Sequence, residues 1–188
     1  MSSNENFNTL VLILGDFHTP QRAVDIPDQF KELITPGKVE HVLCTGNLGS
    51  KERLEWLQSL SRNVHVVQGD FDSEFVERKV IKVEDWNIGL VHGHQIVPWG
   101  DKSALLSFQK QLDVDLLVHG HTHTLSVESA EGKYFLNPGS ATGAYSLLTS
   151  QVKPSFMLLG LKGKEASVFT YEIADGTLVV SKCQISKS

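Results

Sequence analysis

Apolar positions near the start of the chain alternate between unbroken runs and helical spacing. Thr9–Leu14 (TLVLIL) is a continuous apolar run halted by Gly15, the pattern of a strand buried on both faces. Residues 26–34 (IPDQFKELI) carry apolar side chains at helical spacing, and Pro36-Gly37 closes them. A strand over 39–45, a helix over Lys51–Leu60 with Ser50 as N-cap, and a strand over 64–67 follow. Strand and helix alternating at this pitch predict right-handed βαβ units on a parallel sheet. The pattern then changes to a hairpin (79–83 and Trp86–Val91), a helix over Lys102–Leu112 and a strand over 114–118. Strands separated only by turns complete the chain, at 124–128, 133–136, 155–161, 167–173 and 177–185. A parallel half followed by an antiparallel half predicts an α/β chain: a four-layer α/β/β/α sandwich of two mixed sheets, helices outside.

With 188 residues the prior is one domain, expected over 9–188 behind a frayed polar extension at 1–8. Neither a secretion signal nor a membrane span is expected, because the opening residues lack a basic region and the nearby apolar run is short. A net charge of −5 with no run of Lys and Arg argues against nucleic acid as the main partner. Cys44 and Cys183 lack partner spacing, which fits a reducing, cytoplasmic setting.

Chemistry gathers just after the strands. The first ends in Gly15-Asp16-Phe17-His18, the second in Gly46-Asn47 and the third in Gly69-Asp70-Phe71-Asp72. Later ones end in His92-Gly93-His94 and His119-Gly120-His121-Thr122-His123. Ligands of open α/β sheets collect at carboxyl ends, where loops converge on one crevice. Carboxylate, amide and imidazole at five such ends, usually beside Gly, are a ligand set for Zn, Mn or Fe. Each motif alone is weak; the ordered conjunction is what points to a metal-type pocket. His41, Cys44 and His65 lie inside strands, where core packing accounts for them.

The order D-x-H, G-D-like, G-N-H-D/E-like, H-G-H, G-H-T-H and N-P-G-S resembles the signature of the calcineurin-like metallophosphoesterases. It falls at Asp16–His18, Gly46-Asn47, Gly69–Asp72, His92–His94, Gly120–His123 and Asn137–Ser140 and spans most of the chain. The resemblance implies one cation on Asp16, His18, Asn47 and His123, and another on Asn47, Asp70, His92 and His121, bridged by Asn47. Three departures stand against catalysis. Asn47 replaces a bridging carboxylate, and a neutral amide offsets cation repulsion across roughly 3.5–4 Å poorly. Phe71 replaces a His that could donate a proton to the leaving group, a function typically worth about 10²–10⁴-fold. Ala141–Tyr145 after N-P-G-S lacks the expected basic residue, so no cation is expected by the substrate position.

Those departures, with the strings at 14–18, 44–48, 68–72, 92–101 and 137–145, resemble a branch of the family that serves without catalysis in the retromer transport complex. That resemblance implies no catalytic residue, and Zn or Mn bound weakly and not required. It implies docking on the α-solenoid subunit, vacuolar protein sorting 35, with an arrestin-like subunit in the same complex and Rab GTPase-activating regulators. Localisation would be cytoplasmic and peripheral on endosomal membranes, reached only through the complex. The apolar loop Ile96-Val97-Pro98-Trp99 reads as lid or docking surface, with Ile96, Val97 and Trp99 as solenoid contacts. Leu10, Leu33, Leu158, Tyr171 and Ile173 correspond to the family's regulator patch. The alternatives are a specialised metal-dependent phosphoesterase and a domain that cations merely stabilise.

Overall fold

The computed structural model describes residues 6–187, with eleven strands and three helices among them. In chain order these are β1 (Thr9–Leu14), α1 (Asp28–Leu33), β2 (His41–Cys44), α2 (Lys51–Leu60), β3 (Asn63–Val66), β4 (Arg78–Val83) and β5 (Trp86–Val91). Then come α3 (Lys102–Leu112), β6 (Leu116–Val118), β7 (Leu125–Ala130), β8 (Lys133–Pro138), β9 (Ser155–Lys162), β10 (Glu165–Ala174) and β11 (Thr177–Ser186). One sheet runs β11-β10-β9-β1-β2-β3 and the other β4-β5-β6-β8-β7. The parallel run β1–β2–β3 forms one end of the first sheet, with antiparallel strands beyond β1, and the parallel run β5–β6–β8 forms the centre of the second, with an antiparallel strand on each side.

Alternation along β1 explains the layering. Val11 and Ile13 face Ile88, Leu90, Leu116 and Val118 of the other sheet in the central core. Leu12 and Leu14 face the opposite way, under Phe30 of α1 and Leu57 and Leu60 of α2. Leu105 of α3 packs on Val91, Leu117 and Phe135 across the second sheet. The result is the expected four layers, in which non-directional burial of both faces of each sheet supplies the main stabilisation.

Caps set the helix ends. Ser50 Oγ accepts from Arg53 N at 3.4 Å, and the Asp101 carboxylate accepts from Ala104 N at 2.8 Å. The expected first helix contracts to Asp28–Leu33, because Pro27 takes the N-cap position. β6 begins at Leu116 rather than 114, since Val114 N is drawn back to Gln109 O at the end of α3. The two halves of the sequence are not the two sheets: β9, β10 and β11 return to the first sheet and pair antiparallel beside β1.

The frayed start expected over 1–8 does not extend to its last residues, while residues 1–5 lie outside those described. Asn8 N donates to Leu161 O at 2.9 Å, and the Phe7 ring stands edge-on to Phe169 at 5.9 Å. Gly160 makes room for it, since a Cβ there would come within 2.7 Å of the Phe7 ring. No described helix is long and apolar enough to cross a membrane.

Candidate metal centre

The loops after β1, β2, β3, β5 and β6 converge at the carboxyl ends of the parallel strands, as open α/β geometry requires. Bringing them together takes unusual backbone. Asp16, His18, Asn47, His121 and His123 all have positive φ, between 49° and 70°. Non-glycine residues there carry strain that surrounding contacts must hold, a frequent mark of functional sites. Gly46, at φ +101°, touches the next loop: a Cβ would meet Gly69 N at 2.5 Å and Val67 O at 2.7 Å.

Two clusters result. Asp16, His18 and His123 form one and Asp70, His92 and His121 the other, with candidate ligand atoms in each within 4.8 Å of one another. His123 Nε2 lies 3.4 Å from Asp16 Oδ1, and His92 Nε2 lies 3.0 Å from Asp70 Oδ1. His92 Nε2 is also 3.9 Å from Asp16 Oδ1, so the clusters adjoin. Asn47 sits between them: its Nδ2 is 3.0 Å from Asp16 Oδ1, 2.8 Å from Asp70 Oδ1, and 3.2 Å from Nε2 of both His18 and His92. All seven residues expected from the motifs therefore meet in one place.

Supporting bonds aim the imidazoles. His92 Nδ1 donates to Thr45 O and His123 Nδ1 to Ala144 O, each at 2.6 Å, leaving Nε2 free to face the cluster. That arrangement is the usual second support of metal-binding histidines. Asp72, whose role the motifs did not reveal, clamps loops together by accepting from Asn47 N at 2.6 Å and Gly69 N at 3.0 Å. The N-P-G-S segment braces from behind, with Ser140 Oγ donating to Asp16 O at 2.7 Å and Thr142 Oγ1 to Phe17 O at 2.7 Å.

Electrostatics follow from this crowding. Burial would raise the Asp16 carboxyl, but the His92 charge and hydrogen bonds from His123 and His18 hold it well below the usual range. Asp70 is lowered likewise: burial opposes, and hydrogen bonds from His121, His92 and Asn47 prevail. His92 and His123 are raised; burial works against them, and Asp16 outweighs it. At His119 and His94 burial outweighs the pull of the nearby carboxylates and pushes both down, His119 to about 4. Two carboxylates and four imidazoles with open faces are a donor set for a borderline divalent cation, and the oriented tautomers suit one.

Phe71 stands at the mouth, 67% exposed, its ring 5.5 Å from that of His18. Beside it the structure corrects one expectation: a cation is present. Arg22 lines the same small cavity, about 30 Å³, as His18, Asp70, His121 and His123. Its guanidinium lies 4.8 Å from the Phe71 ring centre and 5.1 Å from that of Tyr145. Arg22 was missed because it stands in a loop between predicted elements.

The docking loop also divides differently. Ile96 is 5% exposed and packs with Leu105, Leu117 and Phe135 beneath α3, so it is a core residue and not a surface contact. Val97 is 72% exposed, and Trp99 places its ring 4.4 Å from that of His121 while Nε1 donates to His94 O at 3.0 Å. Tyr145, Leu147 and Leu148 are exposed, and the two leucines line the cavity mouth with Phe71 and Trp99. On the outer face of the first sheet, Leu10, Leu158, Tyr171 and Ile173 are half-buried and Leu33 is exposed. Tyr171 stacks on Phe156 at 4.5 Å, and burial raises its phenol.

This fold with this cluster defines a phosphoesterase-type domain: the calcineurin-like phosphoesterase superfamily domain matches residues 10–164. Within that superfamily the chain belongs to the vacuolar protein sorting 29 family. It is 35% identical to vacuolar protein sorting-associated protein 29 of Schizosaccharomyces pombe over 184 residues, covering 95% of this chain and 98% of the relative. The structure of vacuolar protein sorting 29 from Cryptosporidium parvum aligns with a TM-score of 0.94 at 42% identity, over 97% of this chain and 100% of that one. Wild-type Vps29 of Entamoeba histolytica, crystallised in complex with Zn²⁺, aligns at 0.88 and 49% identity, over 93% and 98%.

Proposed function

We propose that this protein is a non-catalytic scaffold subunit of the retromer core, docked through its metal-site face on the α-solenoid subunit, vacuolar protein sorting 35. The observation that carries this is the apolar rim: Phe71, Trp99, Leu147 and Leu148 stand exposed around the mouth of the cluster, and exposed Val97 lies two residues before Trp99 in the same loop. Exposed apolar side chains gathered in one place mark interaction sites on soluble proteins. The half-buried face of Leu10, Leu158, Tyr171 and Ile173 with Leu33 serves Rab GTPase-activating regulators, and the arrestin-like subunit shares the complex. Residence on endosomal membranes comes through the assembly.

Asp16, His18 and His123 hold one divalent cation, zinc or manganese, and Asp70, His92 and His121 a second, weakly and dispensably. Such a cation, when bound, supplies Lewis-acid polarisation of a phosphoryl oxygen. The chain itself offers no proton donor at Phe71, so orientation is not matched by acid catalysis. Arg22 favours a second reading, a specialised phosphoesterase, because a stacked guanidinium presents its edge to oxyanions. Co-elution with purified solenoid subunit in chelator separates the two: scaffolding predicts a stable complex, and its absence beside metal-dependent hydrolysis lost in Asp16→Ala favours the enzyme.

A further inference from the structure

Asn47 is 1% exposed and its amide is held one way round. Its Oδ1 accepts from Phe71 N at 3.1 Å. Its Nδ2 points into the cluster, 2.8 Å from Asp70 Oδ1 and 3.0 Å from Asp16 Oδ1. An amide nitrogen has two hydrogens, and two carboxylate oxygens at these distances take both. The His18 and His92 Nε2 atoms complete the circle at 3.2 Å. A donor group carrying partial positive charge thus sits where two negative side chains and two imidazoles converge, and of these Asp16, His18 and His92 are buried, where polar groups need partners.

We infer that the Asn47 amide nitrogen is a built-in substitute for the cation, which keeps the cluster satisfied when empty and must turn away before metal can bind. The inference rests on reading the pocket as a divalent-cation site. A metal takes oxygen, not an amide NH₂, so ligation by Asn47 requires its Oδ1 to face inward. Turning the amide breaks the bond from Phe71 N and sets NH₂ against N–H, donor against donor. Metal loading and the rim residue Phe71 are therefore linked through one side chain. A carboxylate at this position behaves oppositely: it needs no turn to ligate, and it offers the empty cluster no donor.

The test compares wild type with Asn47→Asp, using zinc binding by calorimetry, melting in chelator, and the backbone amide resonance of Phe71 during zinc titration. The expected result is about 10–100-fold tighter zinc binding in the variant, a lower melting temperature than wild type in chelator, and a large shift of the wild-type Phe71 amide on zinc binding. Equal zinc affinity with equal metal-free stability overturns the inference while leaving the metal site standing, as does a Phe71 amide unmoved at saturating zinc. Failure of both proteins to bind zinc overturns the metal site and the inference together. Should Asn47→Asp not fold, the Phe71 amide of wild type decides alone.

Discussion

Restoring an imidazole with Phe71→His isolates the missing acid from the rest of the site. Because Phe71 is 67% exposed, only a third of its side chain is buried. At about 200 Å² for a phenylalanine and ~25 cal/mol/Å², losing that burial entirely costs roughly 1.5–2 kcal/mol, and the histidine ring retains part of it. Weakening the Arg22 stack adds about 0.5–1 kcal/mol at such an exposed position. The variant should therefore fold, with its Phe71 backbone bond to Asn47 kept. General acid help is worth about 10²–10⁴-fold, which sets the expected gain in turnover of p-nitrophenyl phosphate and bis-p-nitrophenyl phosphate with excess Mn²⁺ or Zn²⁺. Asp16→Ala in the same background supplies the zero. Wild type turning over at ordinary enzyme rates would refute the reasoning, and so would a metal-loaded variant no faster than wild type.

Further expectations concern how the loops and edges are held. Gly46→Ala places a Cβ against Gly69 N and Val67 O at positive φ, and should cost at least about 2 kcal/mol in urea unfolding; a loss below half of that would show that the loops yield easily. Phe7→Ala should cost about 1–2 kcal/mol through the lost edge-to-face pair with Phe169 and the gap over Gly160, whereas an unchanged midpoint would mean the strap contributes nothing. His41 and His65 stack at 5.8 Å, and burial holds both below the ordinary imidazole value near 6.5. As pH falls below that value the unfolded chain takes up protons first, so the stability of the neutral pair is complete above about 6.5 and declines below it. His65→Leu should flatten the melting temperature between pH 7 and 5, and an equally steep profile would place the acid sensitivity elsewhere.

The strands and the ligand cluster were legible because each rests on a local pattern. Thr9–Leu14 reads as a buried strand from its run alone, and Asp16-Phe17-His18 follows directly from where that run stops. Asp16, Asn47, Asp70, His92 and His121 could be grouped because parallel strands bring their carboxyl ends together. What spacing cannot convey is which way a loop side chain turns. Ile96 and Val97 are adjacent and equally apolar, yet the turn from Gly93 to Ile96 N puts one under α3 and the other in solvent. Arg22 became visible only when folding carried Tyr145, 123 positions along the chain, to its guanidinium. The direction of the Asn47 amide likewise depends on Phe71 N, a backbone group with no trace in composition or periodicity.

The most direct measurement is a calorimetric titration of purified α-solenoid subunit with wild type, Val97→Asp and Val179→Asp. Val97 is 72% exposed in the loop that carries Trp99 to the cluster, and Val179 is 46% exposed on β11 at the far edge of the first sheet, so neither change disturbs a core. A carboxylate buried without a partner in an interface costs about 2–5 kcal/mol, or roughly 30- to 5,000-fold in Kd. Weakening of that order by Val97→Asp with Val179→Asp binding like wild type is the outcome that docking through the metal-site face requires. Equal binding by all three proteins would contradict it.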